Sequence, residues 1–194
     1  MRMKSALSLA LAGTLLFATA GILPAAEEVP PVDAELNDLS VANALGGRSV
    51  LQRIRSAPTV TAQRVDTPQD AATVEEALHV IALGEPFPLS QEDATTLRNI
   101  LTRSSSYLAS SKRCVFRANV RFAFSGEGAP LALVICFGCG ELQVWDNDKL
   151  TSFSPVDPAY AELLSLTRKL FPDDRFFDRF NAETFWKEKP EPER

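Results

Sequence analysis

The chain has 194 residues, of which 25 are acidic and 20 basic, for a formal net charge of −5. Its 45% apolar content suits one globular domain of ordinary size. The acidity, with no basic stripe, argues against nucleic acid and against an anionic membrane surface as partners. A single histidine, His79, leaves a hydrolytic triad unsupported.

Arg2 and Lys4 precede an almost wholly apolar run from Ser5 to Ala18, and Ala18-Thr19-Ala20 puts small residues where a signal peptidase needs them. The expectation is a signal peptide over 1–20, with a second candidate cut after Ala26. The run is short and broken by Gly13, whereas a spanning helix needs about 20 apolar residues. An uncleaved anchor is the alternative; after cleavage no stable membrane span is expected. Losing Arg2 and Lys4 takes the net charge from −5 to −7. The mature chain is then periplasmic or secreted, where thiols tend to oxidise.

Residues 27–66 read as a linker or loosely ordered arm, interrupted by Pro30-Pro31, Gly46-Gly47 and Pro58. Within it, Leu36 to Leu45 can form a docked helix and Ser49 to Ile54 another helical turn. The compact domain is expected over 67–186. Thr67 can cap a helix beginning at Pro68, with Val74, Leu78 and Ile81 at helical spacing and Gly84 as its stop. Ser90, with Asp93 as capping partner, opens a second helix with the stripe Ala94, Leu97, Ile100 and Leu101. It fades at Ser104–Ser106, where Tyr107 and Leu108 can pack under the loop.

The period then changes to two. From Cys114 to Phe124 the even positions are Cys114, Phe116, Ala118, Val120, Phe122 and Phe124, with Arg117, Asn119 and Arg121 between them. This predicts a strand with one buried face. Ser125 to Gly128 supplies a turn, and Pro130 to Phe137 a strand covered on both faces. A tight turn or bulge at Gly138 and Gly140 leads to Glu141–Trp145 as its extension or a further strand. After a turn at Asp146–Asp148, Thr151–Ser154 reads as a short edge strand. Glu127, Glu141, Asp146 and Asp148 are expected in turns, solvated. Asp157 and Pro158 start a helix carrying Tyr160, Leu163, Leu164 and Leu170, with Arg168 and Lys169 at its C-terminal end. Phe176, Phe177, Phe180, Phe185 and Trp186 suggest one or two short amphipathic helices. Docking on the sheet outweighs an exposed aromatic patch there. Residues 187–194 are charged, carry two prolines and are expected to be disordered.

A two-residue turn at Gly126-Glu127 would set Phe122 opposite Leu131, Val120 opposite Leu133, and Cys114 opposite Cys139. Directly opposed Cβ atoms lie about 4.5–5.5 Å apart, near the reach of a disulfide. A slip of two residues would keep the faces and lose this pairing. Cys136 would lie on the other face as a small buried hydrophobe. Three alternatives stay open: a Cys136–Cys139 bond, three free thiols, or chemistry at the cluster. Redox chemistry at Cys136 and Cys139 lacks the following helix that would lower a thiol pKa. A zinc site built on Cys114, Cys136 and Cys139 lacks an evident fourth ligand, with His79 on a helix and Asp146 or Asp148 unspecified by spacing.

Tyr107, the lone Cys114, the Leu133-Val134-Ile135-Cys136-Phe137-Gly138-Cys139 run and Leu170-Phe171-Pro172-Asp173-Asp174 together form a pattern. On it, residues from about 89 to 174 resemble a group of bacterial exported proteins, many lipoprotein-like, with no established activity. The lipid-bearing cysteine is missing here. The resemblance implies a bacterial envelope location and a shared small α+β domain, and no catalytic residue. The expected fold class is α+β, a small antiparallel sheet with its hairpin at about 113–145 and helices on either side in sequence. The expected function is a non-enzymatic binding or interaction module with structural cysteines, a protein or envelope partner and no cofactor. The alternative is a thiol-redox or metal-dependent protein.

Overall fold

The computed structural model describes residues 32–68, 79–108 and 114–185. It is an α+β fold. Helices α1 (Val32–Leu45) and α2 (Arg48–Ser56) lead into β1 (Thr59–Asp66). The short strands β2 (Ile81–Ala82) and β3 (Phe87–Pro88) precede α3 (Gln91–Leu101). Then β4 (Val120–Ser125), β5 (Leu131–Cys136), β6 (Glu141–Asp146) and β7 (Lys149–Pro155) run as a meander, followed by α4 (Tyr160–Leu170) and α5 (Ala182–Phe185). The sheet is antiparallel, in the order β2-β1-β4-β5-β6-β7, with β3 also against β1.

Alternation decides which face is core. Val60 and Ala62 of β1, Val120, Phe122 and Phe124 of β4, and Leu131, Leu133 and Ile135 of β5 share one face with Leu142 and Val144 of β6. That face joins one apolar cluster with Val41 and Leu45 of α1, Ile54 of α2, Leu97 of α3 and Leu163 of α4. Each fully buried Leu, Ile or Phe there contributes about 1.5–3 kcal/mol. Exposed ion pairs such as Arg103–Glu162 contribute about 1 kcal/mol at most, so the apolar layer dominates stability. β5 is buried along its whole length, as its unbroken apolar run requires.

Local signals account for the element ends. The Ser90 hydroxyl accepts from the Asp93 amide at 3.1 Å and donates to the Asp93 carboxylate at 2.6 Å, closing the N-terminus of α3. Asn147 and Asp148 have φ of 52° and 58°, the left-handed pair that a two-residue turn between β6 and β7 demands. Gly46, at φ 87°, ends α1 where an added Cβ would come within 3.2 Å of the Thr151 hydroxyl oxygen.

Three expectations are corrected. The linker expected over 27–66 is helix and strand over most of its described part, from Val32 onward. Val41, Leu45, Val50, Leu51 and Ile54 are core, and β1 lies inside the sheet, paired to β4 from Thr59↔Ser125 to Arg64↔Val120. The helix expected from Thr67 to Gly84 falls mostly on residues 69–78, outside the described residues. Its last turn is instead strand: Ile81-Ala82 pairs with Val65-Asp66, and the Leu83 amide donates to the Arg64 carbonyl at 2.9 Å. The edge of β1 offered hydrogen-bonding groups that needed partners. Finally, the β4–β5 register is slipped by two residues, with Val120 opposite Ile135 and Phe124 opposite Leu131. The connection is longer than two residues, and both apolar faces survive, as a slip of two must allow.

Arg64 departs from the pattern. It occupies an inward position of β1 yet is charged and only 8% exposed. Its guanidinium carbon lies 3.7 Å from the centre of the Phe176 ring and 5.2 Å from that of Phe177. Its Nε reaches Asp174 at 3.1 Å, and it donates to the carbonyls of Val65 and, at 2.7 Å, Asn119. Burial pulls its pKa down and Asp174 opposes that. Replacing Arg64→Met should therefore destabilise the fold by about 3 kcal/mol, because Asp174 and two carbonyls lose their donor. Asp174→Asn should destabilise less, since that carboxylate is a third exposed. Urea unfolding of the three proteins tests this order; equal stabilities would contradict it.

Candidate functional site

The cysteines meet through a route the hairpin alone does not provide. The sulfurs of Cys114 and Cys139 lie 2.01 Å apart, with Cα atoms 5.9 Å apart, at disulfide distance. In the observed register Cys114 would lie beyond Cys139 on the ladder. Two departures from regular strand bring them together. Residues 114–119 leave the β4 strand path, and residues 137–140 make a tight turn in which the Gly140 amide donates to the Cys136 carbonyl at 2.9 Å. Gly140 takes φ 63° to allow it.

Asn119 anchors both departures. Its backbone amide donates to the Ile135 carbonyl at 2.9 Å, and its side-chain oxygen accepts from the Phe137 amide at 2.7 Å. Its carbonyl accepts from the Val65 amide and from Arg64. The residues before it therefore change face: Ala118 and Phe116 pack with Val65, Val134 and Trp145 on the side of the sheet away from the main core.

Cys136 is buried and carries a free thiol. Its sulfur accepts from the Cys139 amide at 3.2 Å and the Arg117 amide at 3.3 Å. Burial raises its pKa above the ordinary 9.0, outweighing those two donors. A nucleophilic cysteine requires the opposite shift. Among the described residues no group of three His, Cys, Asp or Glu is arranged to hold a metal ion. With Cys114 and Cys139 bonded to each other, a three-thiolate site would have to break that bond first. His79 is exposed and off any described helix. Glu141, expected in a solvated turn, is instead a strand residue only 2% exposed, opposite Cys136. Asp146 is held by Arg53 at 2.6 Å.

The aromatic run after α4 is packed rather than displayed. Phe177 is fully buried, and Phe137 sits against Tyr160, Phe177 and Phe180 with ring centres 5.7–6.0 Å apart. Arg168 of α4 donates to the carbonyls of Phe177 and Phe180 at 3.0 and 2.6 Å, pinning the run to the helix. Trp186 lies outside the described residues.

A cavity of about 310 Å³ opens on the second face of the sheet. Ala132, Val134 and Val80 give it an apolar lining, Trp145 an aromatic one, and Arg121 a charged one. Reading the sequence for cysteines passed over these residues. The available signal was Arg121 and Trp145 at outward positions of strands that are otherwise apolar. No helix among the described residues is long and apolar enough to cross a membrane. Comparison of the chain with protein-family models, curated proteins and solved structures gave no match in any of the three.

Two outcomes follow from this geometry. The Cys114–Cys139 bond closes a 25-residue separation, so Cys114→Ser should lower stability by about 3 kcal/mol in urea unfolding. Because the Cys136 pKa is raised on folding, its contribution to stability is complete below the ordinary thiol value. It is lost as pH rises above that value toward the folded one. Wild-type stability should therefore fall faster between about pH 8 and 10 than that of Cys136→Ala. Parallel slopes would mean the thiol is not desolvated.

Proposed function

We propose that the chain is an exported, non-enzymatic binding or interaction module of the bacterial envelope, acting in the periplasm or outside the cell, with its cysteines in structural roles. The observation that carries this reading is the state of the third sulfur. Cys136 is buried, hydrogen-bonded by two amides, and raised in pKa beside a Cys114–Cys139 pair at bonding distance. Burial outweighs the amides, which favour the thiolate, so the arrangement does not activate a nucleophile. Support for export comes from the basic start, apolar run and small residues at the N-terminus. Thiol-redox or metal-dependent use of Cys114, Cys136 and Cys139 is the competing reading. What favours it is that Cys136 and Cys139 share one tight turn.

Intact mass and thiol labelling of full-length protein expressed in a bacterium and recovered from periplasm or medium separate the two. The expected result is loss of the leader, a mapped Cys114–Cys139 bond, and one thiol that reacts only after denaturation. A Cys136–Cys139 bond that forms and reduces readily under native conditions would overturn the proposal. So would protection of all three thiols only while a metal is bound.

A further inference from the structure

We infer that the cavity on the second face of the sheet is a binding site for a small organic monocarboxylate with an apolar or aromatic body; this rests on reading the chain as a binding module. The argument begins with Arg121. Arg53, Arg55, Arg64 and Arg103 each hold a carboxylate, and Arg98 and Arg168 hold backbone carbonyls. Among the described residues Arg121 shows neither kind of partner; the same holds for Arg48, Arg117, Arg175 and Arg179, but of these Arg121 is the one that lines this cavity. It lies at a central position of the sheet, between Gln63 of β1 and Val134 of β5, and it is partly buried. A guanidinium in such a place presents a fork of donors that matches a carboxylate.

Its surroundings select the rest of the ligand. Val134 and Ala132, only 1% and 4% exposed, form an apolar floor, and His79 and Asp148 add polar groups to the lining. Trp145, directly opposite Ala132, donates its indole N–H to Gln143 at 3.0 Å. That bond holds the ring in place and leaves its apolar surface for contact. The volume of about 310 Å³ is at the small end of ligand sites, suited to a ligand of about ten to fifteen heavy atoms. The Asp148 charge opposes any anion in the cavity, so a ligand with more negative charge than the one carboxylate Arg121 can offset is disfavoured. One anionic group, one apolar body and no further negative charge is the chemistry this lining recognises.

The test uses 15N-labelled mature protein titrated with 3-phenylpropanoate and with its neutral counterpart 3-phenylpropan-1-ol. The acid should give saturable shifts at Ala132, Val134 and the Trp145 indole, with the alcohol at least about tenfold weaker. Arg121→Gln should reduce binding of the acid to the level of the alcohol while leaving the remaining spectrum in place. Equal affinity for acid and alcohol, shifts centred elsewhere, or no saturation up to about 10 mM would overturn the inference. The acid–alcohol comparison on the wild-type protein needs no variant to fold. The two readings also fail separately. Absent shifts with an intact Cys114–Cys139 bond remove only the carboxylate site, whereas a labile Cys136–Cys139 bond removes the structural role of the cysteines.

Discussion

A guanidinium on the core side of a sheet must find partners for its charge and its donors, or the strand that carries it cannot stay there. Arg64 meets that condition by drawing on three separate parts of the chain. It takes a carboxylate from Asp174 after α4, ring faces from Phe176 and Phe177, and carbonyls from Val65 and Asn119. The same Asn119 tethers Phe137 at the start of the cysteine turn. One buried charge thus links β1, the entry to β4, the β5–β6 turn and the aromatic run after α4. The Phe-Pro-Asp-Asp segment gains a physical reason from this: Asp174 also accepts the Phe176 amide at 2.9 Å and starts the turn that brings the ring over Arg64.

The elements legible in the sequence were those whose period was unbroken. The faces of β4 and β5, the cap of α3 and the turn between β6 and β7 follow from alternation, a capping pair and an Asp-Asn-Asp tip. β1 was not legible because its inward positions read Val60, Ala62, Arg64, and a charge in that series breaks the apolar alternation. Its partners Asp174 and Phe176 are more than a hundred residues away, beyond the reach of any local pattern. The Pro and Gly residues between α1, α2 and β1 looked like linker punctuation, yet they serve as surface corners between elements that line the core.

The cysteine pair shows how a sound conclusion can rest on a wrong register. Direct opposition on a short hairpin was the expected cause of the Cys114–Cys139 meeting. The ladder is offset by two, and irregular backbone on both sides restores the contact. The irregularity is carried by Asn119, whose side chain bonds the Phe137 amide but whose polarity simply fits the alternation, and by Gly140, which takes a positive φ. Arg121 and Trp145 were legible as residues off the core face, but nothing local shows that they meet at one cavity.

The topology carries a kinetic consequence. β4 to β7 join neighbours through short connections, so their pairing closes small loops and is entropically cheap. β1 must instead pair with a strand roughly 60 residues later in sequence. The meander can therefore assemble early, with Cys139 inside it and Cys114 just ahead of its first strand, while the exposed edge of β4 waits for β1. During that interval an apolar strand edge stands open, which makes β1 docking the step most vulnerable to intermolecular pairing.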